Sequence, residues 1–326
     1  MKVFVTGGAG FIGSHIVDEL VRRDFDVIVY DNLSTGYERH LQSGLSKGRV
    51  GLIVGDILDL PNMINSMKGS ELVFHLAANA DVRGGKANTA VDLEQNIVGT
   101  HNVLEAMRIN HVPEIVFTSS ATVYGEPEIF PTTENYAPLQ TSLYGASKFS
   151  AEAMIQAYGE YFGIRSYMFR FVSWIGERYS HGVVYDFIKK LKTNPNEMEI
   201  LGDGNQRKSY LHVEDGVRGI FLSMQNIREQ KNVINLGHED YMNVKRLASI
   251  VIEEMGLKDV TFRYTGGVRG WLGDSPFVHL DIRKIESAGF KPQVSIEQGI
   301  RRTARYLLEN EWLLESRPSG GAGSRL

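Results

Sequence analysis

The glycine-rich stretch at residues 2–15 constrains the fold of this chain more than any other feature. A β-branched and aromatic run breaks into glycines there, and apolar residues with a helical period follow at once. Gly7, Gly10 and Gly13 are spaced GxxGxxG, while Gly8 with the last two satisfies GxGxxG. Such a strand–turn–helix lets the backbone approach a pyrophosphate, which the free N–H groups of the helix's first turn can bind.

Glycine-rich turns occur in many folds, and the ordinary alternative is a strand–helix turn without a ligand. The context favours a dinucleotide. A second strand-like run at residues 26–30 ends in Asp31, which lies 18 residues after Gly13. An acidic residue about 20 residues after the glycines binds the 2′-hydroxyl of the ribose in NAD. Because no arginine adjoins Asp31, and its carboxylate would repel a 2′-phosphate, the pattern favours NAD over NADPH.

Composition excludes several other classes of protein. The chain has 326 residues, 42% of them hydrophobic, and a net charge of −4, so a general nucleic-acid or membrane surface is not expected. It has no cysteine, which excludes disulfides, thiolate metal sites and cysteine nucleophiles. The chain opens directly in a strand, without a signal-like segment or a long apolar run. We therefore expect a cytoplasmic protein.

Strands and helices are predicted to alternate through the first half. Strand-like runs at 51–56, 71–78, 114–120 and 165–171 are interleaved with helical patterns, chiefly at 91–109 and 144–161. This order predicts an α/β fold, a doubly wound parallel sheet of the Rossmann type with a smaller α/β C-terminal domain. We expect a NAD-binding domain at 1–172 and a substrate-binding domain at 173–315, with some chain crossing back to the first sheet. Residues 316–326 are expected to form a flexible tail.

Tyr144 and Lys148 are four residues apart, on one face of a predicted helix. A phenol has an ordinary pKa of about 10, and a nearby ammonium group lowers it, which would let Tyr144 act as a base. Ser120 ends the preceding strand and could hydrogen-bond the same substrate oxygen. Taken alone, the first two residues could be a solvated helix pair, and Ser120 a strand-end serine bonded to the backbone.

Together, these motifs resemble the extended short-chain dehydrogenase/reductase family. The resemblance rests on the glycine turn, Asp31, the Ser-Ser-Ala-Thr-Val-Tyr-Gly stretch at 119–125 and the pair Tyr144/Lys148, and it covers about residues 1–312. More narrowly, the chain is similar to NAD-dependent nucleotide-sugar epimerases of the UDP-glucose (UDP-galactose) 4-epimerase type. The resemblance implies that bound NAD stays in the protein while the sugar is oxidised at carbon 4, rotates, and takes the hydride back on its other face.

The resemblance also implies roles for individual residues. Tyr144 would be the base, Ser120 its hydrogen-bonding partner, and Lys148 a group that tunes Tyr144 and binds the nicotinamide ribose. The implied cofactor contacts are Gly7, Gly10, Phe11, Ile12, Gly13, Asp31, Asn32, Ser34, Thr35, Gly36, Asp56, Ile57, Leu76, Ala77, Ala78, Asn96, Ser119, Tyr144, Lys148 and Phe171. The implied UDP-sugar contacts are Val82, Arg83, Ser120, Ser173, Leu201, Arg207, Lys208, Tyr210, Arg269 and Asp274. Among these, Leu201 and Tyr210 would flank the uracil, Arg207 or Lys208 would lie near the diphosphate, Arg269 would clamp it, and Asp274 would bind a ribose hydroxyl.

Three positions differ from the family's usual pattern or vary within it. Ser173 stands where the family usually has an asparagine that contacts the substrate phosphates, and Glu177 stands where it usually has a proline. Val278 falls where a bulkier residue in some relatives excludes N-acetylated sugars, so UDP-N-acetylhexosamines remain possible substrates.

Other functions remain open on the sequence. A nucleotide-sugar 4,6-dehydratase would carry Asp-Glu after the serine, where this chain has Ala121 and Thr122, which disfavours dehydration. A net oxidoreductase of the same family and a non-catalytic NAD-binding regulator are the remaining alternatives. His75, His101 and His212 lack metal-ligand spacing, so we expect no metal and interpret them as structural. By family analogy, we expect a homodimer built from the helices at 91–109 and 144–161.

Overall fold

The computed structural model describes residues 1–315. The tail expected at 316–326 lies outside the described residues. The strands are β1 Lys2–Thr6, β2 Asp26–Asp31, β3 Val50–Val54, β4 Leu72–His75, β5 Glu114–Thr118, β6 Arg165–Phe171, β7 Ser173–Ile175, β8 Glu197–Ile200, β9 Arg207–Lys208, β10 Tyr210–His212, β11 Lys231–Leu236, β12 Met242–Asn243, β13 Thr261–Tyr264 and β14 Phe277–Val278.

The α-helices are α1 Phe11–Arg22, α2 Gln42–Ser46, α3 Leu60–Ser66, α4 Ala90–Asp92, α5 Gly99–Asn110, α6 Leu143–Phe162, α7 Val183–Thr193, α8 Val213–Asn226, α9 Val244–Glu254, α10 Arg283–Glu286, α11 Ile296–Glu309 and α12 Trp312–Glu315. Short 3-10 turns add Glu38–Leu41, Gly84–Lys86 and Ala121–Tyr124, and a π-helical segment, Leu93–Val98, joins α4 to α5. In residues 1–315, no helix combines the length and the apolar character that crossing a membrane requires.

Seven strands form the main sheet in the order β11-β6-β5-β4-β1-β2-β3, and the pairs from β6 through β3 are parallel. This confirms the predicted doubly wound α/β fold. The strand order reverses between β1 and β4. At the end of β1, Thr6 is the register partner of Tyr30 in β2 on one side and of His75 in β4 on the other. Ligands of such sheets bind at this reversal, beyond the carboxyl ends of the strands.

Residues 1–315 divide into two compact units that do not follow chain order. The first comprises 1–123, 140–170 and 220–234, so it includes most of β11, a late strand that returns to the first sheet. The second comprises 124–139, 171–219 and the chain from Asn235 onward. Residues 124–139, which the sequence led us to expect in the NAD-binding domain, therefore belong to the second unit, because they pack on residues such as Asn235 and Phe277.

Candidate cofactor and catalytic site

The glycine turn leads from β1 directly into α1. Gly7 has a φ of +70°, and its N–H donates to the carbonyl oxygen of Tyr30 at 3.0 Å. A Cβ on Gly7 would lie 2.6 Å from the backbone nitrogen of Ala77, and a Cβ on Gly13 would lie 2.2 Å from the carbonyl oxygen of Gly7. Both contacts are far too short for a side chain, so packing alone requires glycine at these positions.

The first turn of α1 is suited to an anion. Its N-cap is Gly10, which has an extended backbone and no side chain to cap the helix, and Phe11 and Ile12 begin the helix proper. The first N–H groups of a helix have no intrahelical acceptor, and the helix dipole adds partial positive charge there. The first turn also contains no acidic residue. These features fit the pyrophosphate of a dinucleotide.

Asp31 ends β2 beside this turn. Its two carboxylate oxygens accept hydrogen bonds from the N–H groups of Ala9 and Leu33, each at 2.9 Å. The side chain is buried, and burial raises the pKa of the carboxyl group. Each oxygen has a second acceptor position, so Asp31 keeps capacity to accept from a ribose hydroxyl.

The loop after β2 folds back onto the glycine turn. Asn32 accepts from the N–H of Ser34 through its Oδ1 and donates to the carboxylate of Asp56 through its Nδ2, both at 3.0 Å. A Cβ on Gly36 would lie 2.9 Å from the backbone of Ala9. The loop residues expected to contact the cofactor therefore lie close to the turn itself.

Two further groups of predicted contacts follow β4. The N–H groups of Leu76 and Ala77 both donate to the Thr6 hydroxyl at 3.2 Å. Asn96 lies in the π-helical segment and accepts from the N–H of Asn79 at 2.8 Å. Because π-helical turns recur at functional sites, this geometry is consistent with the predicted role of Asn96.

The predicted substrate contacts Val82 and Arg83 lie in the first unit, in the loop after β4. Arg83 is exposed, and its N–H donates to the carboxylate of Asp81 at 3.0 Å. This loop leads into the 3-10 turn Gly84–Lys86.

The three predicted catalytic residues are brought together in the first unit. Helix α6 begins after Ser142, whose hydroxyl accepts from the N–H of Gly145 at 3.0 Å, so Tyr144 and Lys148 stand in its first two turns. Ser120 follows β5, near enough to Tyr144 for its side chain to favour the ionised phenol. Lys148 is 2% exposed.

The pKa of Tyr144 differs from the expectation based on sequence. Burial, which has the largest effect, and the Asp92 carboxylate together raise this pKa to about 12, while the Ser120 side chain acts in the opposite direction. Burial lowers the pKa of Lys148 to about 7, and its ammonium nitrogen lies 4.5 Å from the centroid of the Phe117 ring. Lys148 therefore loses its proton well below the pH at which Tyr144 ionises, so it does not lower the Tyr144 pKa as expected.

Asp92 and Glu152 are charged residues near this trio that sequence reasoning missed. Asp92 is buried, accepts from Asn79 at 2.8 Å, and raises the pKa of both Tyr144 and Lys148. Glu152 lies one helical turn after Lys148. The spacing 144, 148, 152 on one helix face was the signal that could have identified it.

Glu152 anchors the end of β5. Its carboxylate accepts from Arg170 at 2.6 Å and from the hydroxyl of Ser119 through a short hydrogen bond, and both charged side chains are buried. Ser119, predicted as a cofactor contact, is thus held in place by an ion pair in the core.

His75 is part of a buried hydrogen-bonding chain rather than a ligand set. Its ring nitrogens contact the hydroxyls of Thr6 at 2.8 Å and Thr100 at 2.9 Å. Burial lowers its pKa to about 3, so the ring is neutral.

In the second unit, two predicted substrate residues lie opposite each other in a two-stranded sheet. Ser173 of β7 is the register partner of Tyr210 of β10. Ser173 is exposed, whereas Tyr210 is buried, and burial raises the pKa of its phenol above the ordinary value. Phe171, predicted as a cofactor contact, also belongs to this unit and packs against Trp174, with ring centroids 4.7 Å apart and ring planes 38° apart.

The five other predicted substrate residues cluster around the loop at 265–275. Lys208 donates to the carboxylate of Asp274 and, at 2.6 Å, to the carbonyl oxygen of Ser275. The other oxygen of Asp274 accepts from the N–H of Gly270 at 3.0 Å. A Cβ on Gly270 would lie 3.6 Å from the Cβ of Leu201. The Asp274 carboxylate thus holds together the loop to which it belongs, whether or not it also binds a ligand.

Two arginines complete this cluster. The guanidinium of Arg207 lies over the ring of Phe277, 4.2 Å from its centroid. Arg269 forms an ion pair with Glu126 at 2.7 Å. Val278 is the register partner of Lys208, so the position discussed for N-acetylated sugars adjoins the same residues.

One cluster has residue types typical of a metal site. Glu177, His212 and Glu214 each bring a ligand-type atom within 4.8 Å of the others. Arg302 donates to both carboxylates, at 3.0 Å to Glu177 and at 2.8 Å to Glu214. The guanidinium therefore already supplies a cation that both carboxylates share. The unusual Glu177 is explained by this ion pair, and its pKa is lowered to about 2 despite its burial, through His212 and Arg302.

Comparison with known proteins adds independent information. The model of the NAD-dependent epimerase/dehydratase family matches residues 3–237. A candidate UDP-glucose 4-epimerase from Methanocaldococcus jannaschii is 35% identical, over 94% of this chain and 99% of that protein. The structure of UDP-glucose 4-epimerase from Thermotoga maritima with UDP-glucose has a TM-score of 0.85 and 32% identity, covering 95% of this chain and all of that one. A double mutant of DesIV, a dTDP-glucose 4,6-dehydratase from Streptomyces venezuelae with NAD bound, has a TM-score of 0.89 and 28% identity, covering 97% and 99% of the two chains.

The sheet, the glycine turn and the Ser–Tyr–Lys trio define a nicotinamide-dependent enzyme of the extended short-chain dehydrogenase/reductase class. With the family model spanning most of its length, the chain belongs to the NAD-dependent epimerase/dehydratase family. Its cofactor is NAD.

Proposed function

We propose that this protein is a UDP-sugar 4-epimerase that interconverts UDP-galactose and UDP-glucose through a 4-keto intermediate. The observation that carries the proposal is the combination of Ser120, Tyr144 and Lys148 with non-acidic residues directly after Ser120. Ala121 and Thr122 follow it in a 3-10 turn, and the Thr122 hydroxyl donates to the Ser120 oxygen at 2.9 Å. A 4,6-dehydratase needs acid and base groups there for elimination, and this chain has none at those two positions.

The residues of the chain divide the chemistry among them. Tyr144 would accept the proton of the sugar's 4-hydroxyl and later return it, while Ser120 holds the same oxygen. NAD, held by the glycine turn, Asp31 and Lys148, would supply the hydride acceptor and a positively charged ring that favours ionisation of the nearby phenol. Because burial and the Asp92 carboxylate hold the Tyr144 pKa at about 12, the tyrosine would retain its proton until the site is loaded.

The substrate class is supported by the second unit. One cluster contains three cationic side chains, Lys208, Arg207 and Arg269, together with the apolar Leu201. A UDP-sugar would require cations for its diphosphate and an apolar contact for its uracil. A planar guanidinium can bond two phosphate oxygens at once, which suits Arg269 for the diphosphate. Relatives crystallised with UDP-sugars support the same class. Val278 leaves UDP-N-acetylhexosamines as additional candidate substrates.

A homodimer forms part of this proposal. The helices expected to pair carry exposed apolar side chains, among them Val98, Ile109, Leu143, Tyr161 and Phe162. Apolar patches of this kind on two adjacent helices are typical of a subunit interface.

The proposal is tested by product identification, first without and then with added NAD. UDP-galactose, UDP-N-acetylgalactosamine and UDP-glucuronate are incubated separately with the purified protein, and the products are identified by chromatography and mass spectrometry. A 4-epimerase yields an isomer of unchanged mass. Loss of one water would indicate a dehydratase, accumulation of NADH that depends on added NAD would indicate a net oxidoreductase, and binding of NAD without turnover would indicate a regulator.

The Tyr144→Phe variant tests the assignment of the base. We expect it to lower kcat by roughly 100-fold or more, since general base catalysis contributes about that much. Tyr161→Phe, which changes an 82% exposed tyrosine, is the matched control and should retain activity. Turnover of Tyr144→Phe at the parental rate would contradict the proposed mechanism.

A further inference from the structure

Arg269, the residue proposed to clamp the substrate diphosphate, already has an anionic partner within its own unit. Its guanidinium nitrogen lies 2.7 Å from the carboxylate of Glu126. Glu126 directly follows Gly125, which has a φ of +64° and so marks a tight turn after the 3-10 turn Ala121–Tyr124. The two residues are 143 positions apart in sequence, so the tertiary structure brings them together.

The loop that carries Arg269 is fixed at its base. Gly202 donates its N–H to the Thr265 hydroxyl at 2.8 Å, and Gly270 donates to Asp274 at 3.0 Å. The carbonyl oxygen of Arg269 lies close to Gly202, 3.0 Å from where a Cβ on that glycine would stand. The Arg269 backbone is therefore anchored beside Leu201 and Lys208, whichever anion its side chain binds.

The ion pair itself is easily exchanged. The side chains of Arg269 and Glu126 are 44% and 32% exposed. A partly exposed pair of this type is weak, because water solvates both charges when they separate. A diphosphate offers a guanidinium more charge and two oxygens at once, so it can displace the single carboxylate.

We propose that Glu126 competes with the substrate diphosphate for Arg269 and thereby sets the affinity of the nucleotide site. The proposal rests on the proposed role of Arg269 as the diphosphate clamp. Each binding event breaks the Glu126 contact, and each release restores it. Glu126 thus weakens the binding of any ligand with a nucleoside diphosphate and speeds its departure. It also keeps Arg269 neutralised and oriented when the site is empty of nucleotide.

The experiment measures UDP binding by isothermal titration calorimetry on the NAD-loaded protein, so that activity is not needed. We expect Glu126→Gln to tighten UDP binding roughly three- to fivefold, because the competing charge is gone. The gain should shrink as salt is raised, since the pair is exposed. The matched control is Glu128→Gln, which removes the same charge from an exposed glutamate two residues away and should change UDP affinity much less.

A double-mutant cycle separates this proposal from the proposed function. Arg269→Gln should weaken UDP binding, and adding Glu126→Gln to that background should then have no further effect. If Arg269→Gln leaves UDP affinity unchanged, the diphosphate role fails, and with it the basis of the competition. If Arg269→Gln weakens binding but Glu126→Gln behaves like Glu128→Gln, only the competition is overturned. Thermal unfolding of each variant verifies that it is folded.

Discussion

At the scale of single residues, the fold changes the chemistry of Lys148 most. The spacing of four residues predicts that Lys148 is a cation beside the Tyr144 phenol. Instead, its side chain is 2% exposed and its pKa is lowered to about 7 by burial, although Asp92 and Glu152 both oppose that shift. The charge state of the site therefore varies with pH near neutrality. This follows from surroundings that the local spacing does not reveal.

A prediction about stability follows from this pKa. The pKa of Lys148 is lower in the folded chain than in the unfolded chain, where it has its ordinary value of 10.5. Between these values the unfolded state binds more protons, so this group makes the free energy of unfolding rise with pH above about 7. From pH 7 to pH 9, the parent should gain about 2 kcal/mol relative to Lys148→Met, at up to about 1.4 kcal/mol per pH unit.

Urea unfolding of the two proteins at pH 6, 7, 8 and 9 measures this difference. Lys86→Met is the control, since that side chain is exposed and its replacement should leave the pH dependence of the parent intact. Parallel curves for the parent and Lys148→Met would show that burial does not disfavour the Lys148 charge.

At the scale of elements, the turn between β1 and α1 restricts which residues can occupy it, because Gly7 and Gly13 leave no room for a Cβ. We predict that Gly13→Ala loses NAD affinity by more than tenfold and costs about 1–3 kcal/mol of stability, as overpacking generally does. The reason is that its Cβ would stand 2.2 Å from the carbonyl oxygen of Gly7 and 2.7 Å from the Cα of Gly8, and backbone atoms cannot move aside as a side chain would.

Gly48→Ala is the control for this change. Gly48 has a φ of +65°, but a Cβ there would meet nothing within 4 Å. Its replacement should cost about 1 kcal/mol through backbone strain and leave NAD binding as it was. Calorimetric titration of NAD and urea unfolding measure both quantities. Equal NAD affinity in Gly13→Ala and the parent would mean that the turn does not hold the cofactor.

The elements also show why sequence predicted one half of the candidate site better than the other. The glycine turn, Asp31 and the pair Tyr144/Lys148 depend on local spacing and on strand ends, and a parallel sheet brings strand ends to one edge by rule. The pairing of Arg269 with Glu126 depends instead on two loops far apart in sequence, for which no periodicity exists. The same is true of residues 124–139, whose side chains pack with later parts of the chain although they follow a strand of the first sheet.

At the scale of the whole molecule, the helical segments at 93–110 and 143–162 present exposed apolar side chains that the proposed chemistry does not explain. Tyr158 of α6 donates to Glu105 of α5 at 2.7 Å, which joins these helices. Leu143 and Tyr161 are 18 residues apart, five full turns at 3.6 residues per turn, so they share one face of α6, and they are 46% and 82% exposed. Exposed apolar side chains at both ends of one helix face are unfavourable in water unless another surface covers them.

We predict that a second copy of the chain covers this face. Light scattering after size-exclusion chromatography should give about twice the chain mass of 36.5 kDa for the parent. Tyr161→Glu would bury an unpaired charge in that interface and should shift the protein to monomer at micromolar concentration. Val54→Glu, which adds the same charge at a 62% exposed site on β3, should remain dimeric. A monomeric parent would contradict the dimer directly, whereas a dimeric Tyr161→Glu would show that the subunits meet through another face.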